Sequence, residues 1–531
     1  MADHPHSSAK ENKVSRRRFL GVAGAGAAAA TMGGFSNARA ESVSIEAVPE
    51  RRADVVVAGA GMGGLTAAVR AQRLGADVIL LEKAADPGGT MRESAGGVHG
   101  GASNYQEMRD ASPWGDPDLQ RALADGLPLA YAFYESIDAP IGPATDNPLS
   151  RSIGRPPVAF SNFMVSDFES QGGTLLVETP LLRLLANSRN EVIGVLAEGP
   201  DGPVRILANS VILATGGWAG NAEMVNQHLT RDFNSLHQRN CGFNGLQPPL
   251  TGDGFLAAKS IGAAPSDGGF DSFYGHLLPA RPAQFTHPLI NYSMYHGQWC
   301  VALNLYGKRF TDESKGKVTA RDYHGYTRYG STSPGEQVLN VETSRQPDAS
   351  AAYIWDHVIN ETRALAEHGL GDIDKFEAFR QAGAPVARAD SLEELANQME
   401  GWGRGMPAEL VLRELTEYNE AARNGRAWAL PIPKEDPDNA VPLLEPPFYA
   451  ALGQTGITGS FGALKANPEG QVVSMTGRPI QGLYAAGIDI GNIGNYAYLG
   501  FLGYGAAFGF ISGTNAANHP PPRGGWDVAA S

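Results

Sequence analysis

Six residues, Gly59-Ala60-Gly61-Met62-Gly63-Gly64, read G-x-G-x-x-G, and Glu82 lies 18 positions after Gly64. These types at this spacing suit a dinucleotide. Gly59 makes a tight turn, Gly61 lets a pyrophosphate reach the backbone, and Gly64 lets a helix press on a strand. Glu82 can accept both ribose hydroxyls, a role that disfavours a 2'-phosphate. The flanking sequence supplies the elements. Asp54–Ala58 is a β-branched run, hence a buried strand. A helix follows from Leu65 to Leu74, with Ala67, Ala68 and Ala71 small enough to lie close to a sheet, and Gly75 stops it. A second strand, Asp77–Leu81, delivers Glu82 and then Lys83. The helix N-terminus would face the phosphates with free N–H groups and its positive dipole end.

Further glycine-rich segments follow. Pro87-Gly88-Gly89-Thr90-Met91 leads to Ala95-Gly96-Gly97, two glycine pairs around a polar run able to wrap something large and planar. Ala214-Thr215-Gly216-Gly217 closes another buried strand, Thr251-Gly252-Asp253-Gly254 forms a turn, and Gly482-Leu483-Tyr484-Ala485-Ala486-Gly487-Ile488-Asp489 comes late in the chain. This order resembles the fumarate reductase and 3-ketosteroid dehydrogenase superfamily of flavoproteins, from Ala53 to Ala517. The resemblance implies FAD. It assigns cofactor binding to Gly59, Gly61, Met62, Gly63, Gly64, Glu82, Lys83, Gly89, Thr90, Met91, Ala95, Gly96, Gly97, Ala214, Thr215, Gly216, Asp253, Gly487 and Ile488. In covalent relatives a histidine carries the flavin; Thr90 stands at that position here, so non-covalent FAD is expected.

The same resemblance points to the chemistry. Gly307-Lys308-Arg309-Phe310-Thr311-Asp312-Glu313 looks like the family turn G-x-R-F-x-x-E, and Thr319-Ala320-Arg321-Asp322 like the T-x-R-D context of the proton-donating arginine of fumarate reductases. Arg321 is therefore a candidate acid, although a guanidinium with a pKa above ~12 acts only as a relay member. His276, in Gly275-His276-Leu277-Leu278-Pro279, matches a substrate histidine. The family's other relay pair falls near Ser293 and His296. Its carboxylate-binding histidine and arginine fall in Thr458–Ala463 and Asn495–Gly500, which contain neither residue type. Without a guanidinium fork a buried carboxylate is hard to compensate. Ketosteroid enzymes use tyrosines instead, and Tyr323 and Tyr496 are the candidates. An aromatic stretch, Tyr496, Tyr498, Phe501, Tyr504 and Phe508, suits either a bulky apolar substrate or core packing.

The expected fold class is α/β: a Rossmann-like FAD-binding domain (53–274 and 451–517) interrupted by an α+β capping domain (275–450), with a loose tail (518–531). Strands are expected at Thr174–Glu178, Val192–Leu196 and Ile206–Leu213. Helices are expected at Ala351–Glu367, after the capping box opened by Ser391, and from Pro407 to Ala422. A cap closing over a flavin excludes water.

Composition narrows the classes. Of 531 residues, 66 are glycine and 18% are charged, against 42% hydrophobic, which excludes a disordered chain. The net charge of −14 argues against a nucleic-acid partner. Cys241 and Cys300 cannot build a disulfide framework or cysteine-rich metal site. With no C-x-x-C-H motif for haem, a separate electron donor or acceptor is expected. Ser15-Arg16-Arg17-Arg18-Phe19-Leu20, a Gly/Ala-rich run and Ala38-Arg39-Ala40 resemble a twin-arginine export signal over residues 1–40. The translocase would then be a transient partner, the location periplasmic or otherwise extracytoplasmic, and no stable membrane span is expected. The function expected is an exported FAD oxidoreductase that reduces or forms a C=C conjugated to a carbonyl of a bulky, apolar small molecule. A reductase of a small unsaturated acid and a non-catalytic electron carrier are the alternatives.

Overall fold

The computed structural model describes residues 48–155, 157–229, 234, 236–238, 249–273, 277–286, 289–314, 342–365, 374–494 and 498–529. The first sheet begins with β1 (Glu50–Ala58), which crosses through α1 (Met62–Arg73) to the parallel strand β2 (Val78–Leu81). Helix α2 (Pro117–Ser136) starts on Asp116, whose side chain accepts from Asp118 N–H and Leu119 N–H. Strands β3 (Thr174–Leu176), β4 (Leu181–Ala186), β5 (Val192–Gly199) and β6 (Gly202–Leu213) follow. One half of β6 pairs antiparallel with β5; the same strand also runs parallel beside β1.

The second sheet has six strands: β7 (Leu277–Pro279), β8 (Val301–Asn304), β9 (Ser350–Trp355), β10 (Val386–Ala389), β11 (Phe448–Ile457) and the short strand His237–Gln238, which runs parallel beside β11. The five numbered strands pair antiparallel in the order β7–β11–β9–β8, with β10 also on β11. The chain then returns to the first sheet through β12 (Gln471–Val473) and β13 (Pro479–Ala485), giving the order β12–β13–β6–β1–β2–β3. Each sheet has its own hydrophobic core, and both belong to one compact unit, Ser44–Ser531.

One expectation needs correction. The helix placed at Ala351–Glu367 begins as strand β9. All six of its residues are buried and both its edges are paired, and an apolar run buried on both faces carries no period to separate strand from helix. Residue 451 lies within β11. In the described part of the tail, Gly524 N–H donates to Glu191 at 2.7 Å, Asn187 to Gly525 O at 3.1 Å, and Arg52 sits over the Trp526 ring.

The other helices of the second region form as expected. In α4 (Leu392–Met399) the Ser391 hydroxyl accepts from Glu394 N–H at 3.1 Å, and α5 (Ala408–Arg423) starts after Pro407. The last helix, α6 (Phe501–Ala517), lies against α1 along a glycine stripe. A Cβ at Gly505, Gly509 or Gly513 would sit 2.8 Å from Met62 Cγ, 2.7 Å from Gly63 O or 2.6 Å from Ala67 O. That four-residue spacing places the three glycines on one helix face.

Candidate active site

A cleft of about 630 Å³ opens at the ends of β1, β2 and β6. Its walls carry Gly59, Gly61, Glu82, Lys83, Gly89, Thr90, Ala214, Thr215, Gly216 and Asp253 from the sequence-derived set. Ala58, Leu81, Thr179, Pro180, Leu181 and Leu250 complete it. Met62, Gly63, Gly64, Met91, Ala95, Gly96, Gly97, Gly487 and Ile488 lie off these walls. Several of them pack behind the loop: a Cβ on Gly63 would meet Gly487 N at 3.2 Å.

The glycines divide by what surrounds them. Gly59 takes φ +101°, and a Cβ there would lie 2.3 Å from Ala214 O; on Gly64 it would lie 1.7 Å from Gly59 O. On Gly61 it would meet nothing within 4 Å. Space is thus kept at Gly61 alone, where α1 begins without a side-chain cap and its first N–H groups remain available to an anion. The Pro87–Gly89 turn folds over this loop, with Gly88 N–H donating to Ala60 O at 2.9 Å. An open cradle at a helix N-terminus beside a carboxylate fits the pyrophosphate and ribose of FAD.

Two buried carboxyls frame the cleft. Glu82 accepts from Ala60 N–H at 2.9 Å and from Ala84 N–H at 2.8 Å. Burial pushes its pKa up, opposed by those N–H groups and by Lys83. Lys83 bridges to Asp253 at 3.0 Å, tying the end of β2 to helix α3 (Asp253–Ser260). Asp489 ends the late glycine-rich segment, with no role of its own assigned from sequence. It is fully buried and accepts from Thr215 Oγ1 at 3.1 Å and Gly216 N–H at 3.0 Å. Burial pushes its pKa up to about 7, with the Asp253 charge adding to the rise.

Arg321, Tyr323, Tyr496 and His276 lie outside the described residues. The turn preceding Arg321 is described. Arg309 and Glu313 form a buried ion pair, with Arg309 Nε donating to Glu313 at 3.0 Å and Ala302 N–H adding a bond at 2.9 Å. Burial would raise the Glu313 pKa, but the charges of Arg309 and Lys434 outweigh it and hold it low. Ser293 and His296 are buried, His296 edge-on to Trp355 with ring centroids 4.9 Å apart.

The first of the two stretches lacking carboxylate-binding groups packs against Phe501, the residue that follows the second. Phe461 packs edge-on to Phe501 at 5.6 Å, and a Cβ on Gly459 would strike the Phe501 ring at 2.4 Å. Tyr498 lies 5.0 Å from Phe501 and 5.8 Å from His99. Tyr504 and Phe508 are buried core residues, while His99, Tyr498 and Phe501 are half-buried.

Residues 158–500 match the FAD binding domain family, and residues 54–146 match the FAD dependent oxidoreductase family. The chain belongs to the FAD binding domain family, and it is an FAD-dependent oxidoreductase acting on CH–CH groups. It is 26% identical to "Probable fumarate reductase Ifc3" of Shewanella frigidimarina, over 90% of this chain and 76% of that one. It is also 26% identical to the vinyl phenol reductase of Lactiplantibacillus plantarum, over 88% and 96%. The solved 3-ketosteroid delta1-dehydrogenase of Sterolibacterium denitrificans shares its fold, with a TM-score of 0.66, 19% identity and coverage of 88% and 99%.

Proposed function

We propose that this chain is an exported FAD enzyme that reduces or forms a C=C conjugated to a carbonyl, on a substrate bulkier and less charged than fumarate. The observation that carries this reading is the aromatic cluster of Phe461, Tyr498 and Phe501, drawn from two stretches without a lysine or arginine and the residue that follows the second. Similarity to a vinyl phenol reductase supports the bulky, uncharged part of this reading, because a vinyl phenol is a neutral aromatic molecule, although it carries no carbonyl. Similarity to Ifc3 favours the second reading, a reductase of a small unsaturated acid.

Bound FAD would supply or accept the hydride. A proton must reach, or leave, the neighbouring carbon for the bond to change order. Arg321, Tyr323, Tyr496 and His276 are the candidates for holding or moving it. Thr90, on the cleft wall, has no nucleophile able to form a histidyl–flavin bond, so FAD is held non-covalently and should leave the protein on acid precipitation. The division into a nucleotide domain (53–274 and 451–517) and a cap (275–450) belongs to the same proposal. Export by the twin-arginine route rests on Arg16 and Arg17, and replacing both by Lys should leave folded protein in the cytoplasm.

The test is a pair of variants. A positioned acid or base is worth about 10²–10⁴ in rate. Arg321→Ala losing that much with FAD retained, while Tyr496→Phe is silent, supports the unsaturated-acid reading. The reverse supports the enone reading. Wild-type rates in both variants would overturn the placement of the proton-transfer site.

A further inference from the structure

We infer that His99 is a specificity-determining residue of the substrate face, a neutral Nε2–H donor aimed at the carbonyl oxygen of a conjugated substrate. The inference rests on the enone reading and deepens it. His99 ends the short strand Gly97–His99, directly after the Ala95-Gly96-Gly97 segment. On its other side lies the start of α6: a Cβ on Gly500 would come 2.8 Å from His99 Nδ1, and one on Gly503 would come 2.0 Å from His99 O. Both glycines are needed for this approach. Farther along the same helix, Gly505 presses on Met62 of the dinucleotide loop. The ring is therefore held between the strand after the Ala95-Gly96-Gly97 segment and the helix that packs on the dinucleotide loop.

Its protonation state is set by backbone. Gly101 N–H donates to His99 Nδ1 at 3.1 Å, so in the neutral ring the proton resides on Nε2. Among the described residues Nε2 has no hydrogen-bond partner. Tyr498 stands edge-on at 5.8 Å with the rings 81° apart, an apolar wall beside a polar tip. Burial lowers the imidazole pKa to about 4, which keeps the ring uncharged in neutral solution. A neutral donor among rings polarises a carbonyl without attracting a carboxylate, in accord with the loss of the carboxylate-binding groups. No bond is made or broken by His99 itself.

The experiment uses FAD-loaded full-length protein and 4-(dimethylamino)cinnamaldehyde, an enal whose absorption moves to the red when its carbonyl is polarised. Wild type should bind the probe with a red shift that is equal at about pH 6 and about pH 8, where the ring stays neutral. His99→Phe should keep FAD and bind the probe with no red shift, and its kcat/KM for enones should fall about 10²–10³-fold, as on loss of one oxyanion donor. His99→Gln, which can still donate, should recover part of both. An undiminished shift in His99→Phe overturns the role of His99 while leaving the enone reading intact. No probe binding or no shift in wild type overturns both. Loss of FAD from His99→Phe and His99→Gln alike would place the residue in the cofactor cradle and also overturn the inference.

Discussion

The nucleotide end and the substrate end of this molecule are built from opposite materials. At the nucleotide end, recognition is made by backbone. Gly59 and Gly64 have no room for a side chain, Gly61 faces open space, and Glu82 and Asp489 are spanned by N–H groups and a hydroxyl. At the substrate end the chain presents rings: His99, Tyr498, Phe501 and Phe461 meet edge to edge. Backbone recognition demands fixed spacing and tolerates almost no substitution. Ring packing needs only apolar volume of about the right shape, so the same scaffold can accept different substrates over one cofactor site.

The sharpest break lies within the loop. Gly64→Ala should prevent formation of folded protein, because its Cβ would overlap Gly59 O at 1.7 Å and neither backbone segment can yield; soluble yield and circular dichroism would show this. Gly61→Leu should instead leave a folded apoprotein without flavin absorbance, since its side chain enters the open space kept for the pyrophosphate. Equal behaviour of the two variants would erase the distinction between packing and binding glycines.

Phe501→Ala tests the other end. Loss of this ring should raise KM for an apolar substrate about 10- to 100-fold, from roughly 1.5–3 kcal/mol of ring burial, with FAD retained. An unchanged KM would assign the cluster to core packing.

The smallest effect concerns Asp489. Its carboxyl titrates at about 7 in the folded protein against 3.8 for the unperturbed group. The folded state therefore holds its proton more tightly, and stability from this group, full at low pH, is lost as pH rises through about 7. Asp489→Asn should flatten the fall in Tm across that window; a slope equal to wild type would place the titration elsewhere.

Legibility followed the same division. The loop, its flanking strands and helix, and Glu82 could be read from spacing, whereas Gly89, Thr90, Ala214, Thr215, Gly216 and Asp253 on the cleft wall came from the family resemblance. Thr179, Pro180 and Leu181 could not be read, because a turn after β3 brings them in with no periodic signal. Asp489 stood in a quoted segment, but its bonds to Thr215 and Gly216 were not legible because they lie far away in sequence. In α6 the aromatic residues drew the reading, yet Gly505, Gly509 and Gly513, spaced at four, decide how the helix docks. Strand β9 was mistaken for helix because burial on both faces erases alternation. His99 escaped notice because its significance comes from the approach of Gly500 and Gly503.

The central claim is tested most directly by mixing anaerobically reduced enzyme, in separate runs, with a bulky enone such as a 3-keto-4-ene steroid, a vinyl phenol and fumarate, and following flavin reoxidation in a stopped-flow instrument. The account predicts fast reoxidation by the enone and none above background by fumarate; fast reoxidation by fumarate, or by the vinyl phenol and not the enone, would contradict it.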